Sequence, residues 1–182
     1  KKKNFLPLNL EMAATDEMLK ICIDNLPYAC CIVPERREEL TTEGGLDVKN
    51  QLNYLSQFVT KIQNSGIKLS LFIDPDLDQI DAVSKLGVNV VEIHTGKYSR
   101  SFKKRNHKIE LERIHRAAEY CSKLGIDCHA GHGLNFDNVK DIAKISNIIE
   151  LNVGHFLISN SIFEGLESTI KKFMKIINHA SI

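Results

Sequence analysis

The chain carries almost no net charge. Its 182 residues hold 24 basic and 23 acidic side chains, a formal charge of +1. Nucleic acids and anionic membrane surfaces are held by strong basic fields, so neither is expected as a partner. Long apolar runs are missing too; none approaches the roughly 20 residues of a membrane-spanning helix. The opening Lys1-Lys2-Lys3-Asn4-Phe5-Leu6 is basic, but no extended apolar region or small-residue cleavage site follows, so it does not read as a signal peptide. Cysteines number five, at positions 22, 30, 31, 121 and 128. An odd, irregularly spaced set excludes a disulfide framework, and the apolar settings mark all five as reduced packing residues of a cytoplasmic protein. Cys30 and Cys31 are adjacent in an apolar run, where strand alternation sends them to opposite faces. No linker, low-complexity segment or internal repeat interrupts the chain, so residues 1–182 are expected to form one domain.

Several chemistries lack their residues. There is no Gly-x-Ser-x-Gly and no local Cys–His signature for a covalent nucleophile. His129 and His132 have no partner group at zinc-ligand spacing. Asp74, Asp76 and Asp78 share the spacing of a calcium loop, but Gln79 stands where glycine is required and Lys85 where the closing glutamate belongs. Helix capping is the expected role of those aspartates, and no metal is expected. No lysine lies at a predicted strand end, which argues against a Schiff-base aldolase.

What is present is a rhythm. Short apolar runs at Leu8–Ala13, Ala29–Val33, Leu69–Ile73, Val90–Ile93, Ile126–His129 and Ile149–Val153 alternate with helical patterns. The helical patterns lie near Asp16–Asp24, Gln51–Asn64, Leu77–Leu86, Lys108–Leu124, Asn138–Ala143 and Ile162–Ile177. Six strands alternating with six helices require a parallel sheet. Thr15 before Asp16 and Glu17 reads as an N-cap, and Asp74-Pro75-Asp76 opens a helix with proline in its first turn. Gly66, Gly87 and Gly125 read as helix stops. Each strand delivers a reactive residue at or beyond its end: Glu11, Glu35, Asp74, Glu92 with His94 and Thr95, His129 with His132, and Asn152 with His155. One mouth that collects polar groups from every strand is the barrel layout, with chemistry on the C-terminal face.

Ala130-Gly131-His132-Gly133-Leu134 follows a strand and precedes a helix, and Leu151-Asn152-Val153-Gly154-His155 repeats the arrangement one unit later. Two successive glycine-bearing strand ends suit a phosphate cradle of backbone N–H groups and helix N-termini. Glu11, flanked by apolar residues, is a candidate acid/base whose burial would favour proton transfer. The charged stretch Pro34–Gly45 has the length and the Gly44-Gly45 hinge of an active-site lid.

Taken together, Asn9-Leu10-Glu11-Met12-Ala13, the stretch from Val33 to Val48, Ser70-Leu71-Phe72-Ile73-Asp74, Glu92-Ile93-His94-Thr95-Gly96-Lys97-Tyr98 and the two glycine segments are similar to the pyridoxine 5′-phosphate synthase family. The resemblance covers essentially the whole chain, in the family's order. It implies an α/β fold of the TIM (β/α)8 barrel type. It also implies a ring-forming condensation of 1-deoxy-D-xylulose 5-phosphate with 3-amino-2-oxopropyl phosphate, by general acid/base catalysis and without a metal or organic cofactor. By motif position, Glu11 and His132 are the implied catalytic groups, and Thr41 the implied contact to the sugar phosphate. Gly133, Gly154 and His155 match the site for the aminoketone phosphate. A homo-oligomer, up to an octamer, is also implied. The family's Asn-Ile-Asp-His-type first strand and His-Leu-Arg-Glu-Asp second strand do not occur here. The chain is therefore expected to hold six of the eight β/α units, with a further catalytic histidine and substrate-binding arginines lying upstream. Taken literally, such a chain could instead be a non-catalytic phosphate-binding or assembly subunit. A third reading is another barrel enzyme acting on sugar phosphates.

Overall fold

In the computed structural model, residues 6–34, 44–104 and 107–180 are described. Glu35, Thr41 and most of the stretch read as a lid lie outside them. Six strands form one parallel sheet in chain order: β1 (Asn9–Ala13), β2 (Ala29–Val33), β3 (Lys68–Ile73), β4 (Val90–His94), β5 (Asp127–Gly131) and β6 (Ile148–Asn152). The helices are α1 (Asp16–Asn25), α2 (Leu52–Asn64), α3 (Leu77–Lys85), α4 (Gly96–Ser101), α5 (His107–Lys123), α6 (Val139–Ala143), α7 (His155–Glu164) and α8 (Leu166–Ala180). Among the described residues β1 and β6 remain the two sheet edges, so the barrel is present as a six-stranded open arc.

Alternation along each strand sorts the side chains into two faces. Met12, Cys30, Ile32, Leu71, Val91, Ile93 and Ala130 join one apolar cluster with helix residues such as Leu55, Phe58, Ile80 and Ile114. The opposite, inner face carries Glu11, Cys31, Ser70, Phe72, Glu92 and His94. Register locks these into rows: Glu11 lies beside Cys31 and Cys31 beside Ser70, while Phe72 lies beside Glu92 and Glu92 beside His129. Cys30 belongs to the helix-side core and Cys31 to a separate cluster with Val33 and Phe72, the split that alternation requires. All five cysteines are buried and none is in a disulfide.

The punctuation follows the sequence closely. The Thr15 hydroxyl accepts from the Met18 N–H at 3.3 Å and starts α1. Gly66, Gly87 and Gly125 adopt φ of +74°, +69° and +69° directly after their helices, where an L side chain would be strained. Three expectations fail. Helix α4, immediately after β4, was not foreseen. The helix expected over Ile162–Ile177 is two helices, α7 beginning at His155 and α8 after Gly165, whose φ of +80° breaks the axis. The triple aspartate does not cap α3. Pro75 precedes the N-cap residue Asp76, which makes no capping bond, and the three carboxylates are spent on His94, Arg113 and Lys49.

Helix α7 contains no buried residue, and Ile158, Ile162 and Phe163 are exposed along it. No helix among the described residues is long and apolar enough to cross a membrane.

Leu71 is completely buried in the centre of β3. Leu71→Ala is expected to lower stability by about 2–5 kcal/mol, the usual range for a cavity left in a rigid core. Urea unfolding midpoints measure this, and an unchanged midpoint would remove β3 from the core.

Candidate active site

The inner face and the C-terminal rim of the sheet enclose an open cavity of about 900 Å³. Glu11, Glu92, His132, Gly133, Gly154 and His155 all line it. Five of the six residues singled out from the sequence thus meet in one place, and the sixth, Thr41, lies outside the described residues.

Glu11 and Glu92 come from the middle of β1 and β4, not from the strand ends, so they line the wall and floor of the cavity. Glu11 is exposed, because β1 is an edge of the described sheet, and the expected burial is not found. Glu92 is only 5% exposed. Its Oε2 accepts a hydrogen bond from Asn152 Nδ2 at 2.7 Å and a longer one from the Cys31 thiol at 3.9 Å. A Cβ on Gly131 would stand 2.3 Å from Glu92 Oε1, so glycine there lets the carboxylate lie flat against β5. Burial first, and the Glu92 charge next, push the Cys31 thiol well above its ordinary range, which keeps it a donor and not a nucleophile.

The rim is built around His132, a non-glycine residue at φ +81°. That left-handed backbone costs about 1–2 kcal/mol and persists only when its surroundings hold it. The Thr95 hydroxyl does so, lying 2.8 Å from the Gly131 carbonyl and 2.7 Å from the His132 carbonyl, while the Thr95 N–H donates to Gly131 at 2.8 Å. Gly133 follows at φ +79°, and a Cβ there would press on Ser99 Cβ at 2.9 Å. The loop reaches α6 where the sequence placed that helix. It closes through an asparagine turn, in which Asn135 and Asn138 bond each other's backbone N–H groups and Asn138 Nδ2 reaches the Gly133 carbonyl. The second glycine segment does lead directly into a helix. Gly154 caps α7, whose first-turn N–H groups lack intrahelical acceptors.

Beside His132 lies a pair whose two members the sequence placed at strand ends but whose contact it did not foresee. His94 is 2% exposed, and its Nδ1 is 3.0 Å from Asp74 Oδ1. Asp74 also accepts from the Gly45 N–H at 3.2 Å and from Lys97 Nζ at 3.2 Å. Burial alone would push the Asp74 carboxyl up. The His94 bond, the Lys97 charge and the Gly45 N–H outweigh it and hold the carboxyl well below the usual carboxylate range. The sequence signal was present in Val90-Val91-Glu92-Ile93-His94, whose alternation puts Glu92 and His94 on one face.

A carboxyl held below its unfolded value stabilises the fold above that value and loses the contribution as pH falls. Asp74→Asn is therefore expected to lower the Tm at neutral pH. The gap to the parent should close as pH drops below about 4, the ordinary aspartate range. Melting curves between neutral and strongly acidic pH measure this; a gap that stays constant would contradict the assignment.

Comparison with known proteins bears on the family and the fold. The family model described as "Pyridoxal phosphate biosynthesis protein PdxJ" matches residues 1–179. A pyridoxine 5′-phosphate synthase of Sulfurihydrogenibium sp. (strain YO3AOP1) is 49% identical over 179 residues, 98% of this chain and 73% of the relative. The protein of the same name from Zymomonas mobilis is 50% identical over 177 residues, 96% of this chain and 68% of its own length. Among solved structures, a xylose isomerase domain protein from Planctomyces limnophilus superposes with a TM-score of 0.59 at 14% identity, covering 97% of this chain and 72% of that one. An HpcH/HpaI aldolase from Desulfitobacterium hafniense gives 0.56 at 11% identity, covering 96% and 73%. Those two likenesses concern the fold alone, and they place the six-stranded arc among barrel-type α/β folds. The sequence relatives reach further: this chain belongs to the pyridoxal phosphate biosynthesis protein PdxJ family.

Proposed function

We propose that the chain performs the pyridoxine 5′-phosphate synthase reaction, condensing 1-deoxy-D-xylulose 5-phosphate with 3-amino-2-oxopropyl phosphate to pyridoxine 5′-phosphate, phosphate and water. The observation that carries the proposal is the meeting of two carboxylates, a histidine and two glycine-bearing strand ends around one cavity. An amine must add to a ketone, water and phosphate must leave, and a carbon–carbon bond must close the ring. Every step moves a proton, which calls for several acid/base groups around one space.

In this reading Glu11 takes and returns protons at the carbon and nitrogen centres, and His132 delivers a proton to a departing oxygen. The backbone at Gly133 and Gly154, with His155 at the start of α7, holds the phosphate of the aminoketone. Glu92 is poised in a low-dielectric floor to offset the positive charge of a protonated imine. Thr41 would meet the sugar phosphate. The reading takes the protein to be a cytoplasmic homo-oligomer. The disulfide-free cysteines support the compartment, and the exposed apolar side chains of α7 support a covering partner.

Glu11→Gln and His132→Ala in the full-length protein are each expected to slow product formation by about 100-fold or more, as removal of a general acid or base does. Circular dichroism should remain at parental values. Turnover near the parent's in either variant would defeat the assignment of that residue.

A further inference from the structure

His132 sits at a left-handed backbone position, and two neighbouring rings pack beside its imidazole. The His94 and His132 centroids are 5.0 Å apart at 66°, an edge-to-face contact, and Phe72 lies 5.0 Å from His94 and 6.4 Å from His132. His94 is in turn held by Asp74. A carboxylate can only accept, so the proton of the His94–Asp74 bond sits on His94 Nδ1. Nε2 is buried, and no hydrogen-bond partner meets it among the described residues.

Leaving a buried ring nitrogen unpaired is unfavourable, and such atoms call for a reason. The geometry supplies one. A Cβ on Gly96 would lie 2.4 Å from His94 Nε2 and 3.2 Å from His132 Cδ2. The missing methyl group therefore marks the seam at which the two imidazoles meet. Glycine at 96 leaves the room in which the two rings meet edge to face.

We propose that Asp74 and His94 are positioning residues for His132: Asp74 fixes the tautomer and plane of His94, and His94 fixes the ring of His132 toward the cavity. The proposal rests on the reading of His132 as proton donor. The Asp74 carboxylate is suited to the task because Oδ1 serves His94 and Gly45 while Oδ2 serves Lys97. An asparagine has one acceptor oxygen and can satisfy only one of those sides.

The test uses the full-length enzyme with Asp74→Asn and His94→Phe, the latter keeping a ring against Phe72 and His132 but losing the bond to Asp74. Both are expected to lower kcat by about 10- to 100-fold through misplacement of a reacting group. KM for either substrate should move by no more than about 3-fold, because ground-state binding is untouched. In a His132→Ala background Asp74→Asn should cost less than about 2-fold, since residues acting as one unit are not additive. A merely structural pair would cost the same factor in both backgrounds, and that result would overturn the proposal. The substrate-free protein gives a second readout. With isotope-labelled histidine, the His132 ring signals should shift or broaden in both variants; unchanged signals in His94→Phe would also overturn it. If the parent enzyme made no product from the two substrates, the functional reading would fall, while the ring spectra would still decide the positioning.

Discussion

The side-chain period of a strand is two residues, and everything in this site depends on the sheet keeping its register. Cys31 lies on the inner face against Glu92 and Cys30 faces the helices; Glu92 faces the cavity while Val91 and Ile93 face the helices. A slip of one residue in β4 would drive the Glu92 carboxylate into the apolar layer and bring Val91 and Ile93 into the cavity. Such an exchange would bury a charge without partners, so register is firmly specified. The apolar contact between sheet and helices is therefore what aims the polar groups. Catalytic geometry follows from core packing on the opposite side of the same strands.

The inner face also departs from an ordinary barrel interior, which is filled by layers of branched aliphatic side chains. Here it carries Glu11, Cys31, Ser70, Glu92 and His94. Burying a carboxylate such as Glu92 is unfavourable unless its oxygens are satisfied. Asn152 from β6 and Cys31 from β2 donate to one oxygen, and Gly131 from β5 gives the other room. Three strands thus hold a side chain supplied by a fourth. A side chain fixed in this way is preorganised, the condition under which electrostatic assistance is most effective.

Strand positions, the two faces and the glycine stops were legible because they depend on local alternation and on backbone angles near single residues. The meeting of Glu11, His132, Gly133, Gly154 and His155 was legible once the parallel rhythm placed every strand end on one rim. The three aspartates at the junction of β3 and α3 were misread because their spacing is local while their partners are distant. Asp76 binds Arg113, Asp78 binds Lys49 and Asp74 binds His94. Helix α4 escaped for a related reason. Its Gly96-Lys97-Tyr98-Ser99-Arg100-Ser101 has weak intrinsic helicity, and it is secured by tertiary contacts such as Tyr98 donating to the Asn138 carbonyl at 2.8 Å. The exposure of Glu11 depends on what stands beyond β1, which no residue of β1 reports.

Glycines that look alike in the sequence do different physical work. Gly133 is required by its backbone angle and by Ser99, and Gly131 by the Glu92 carboxylate. Gly154 is required by neither. Its φ of −112° is open to any residue, and a Cβ there would meet nothing within 4 Å. Gly154 lines the cavity and opens α7, so what its missing side chain leaves free is cavity space beside the helix N–H groups. Packing and backbone strain account for the first two glycines. Neither applies to the third, whose open Cβ direction leaves cavity space beside a helix start of the kind that suits an anion.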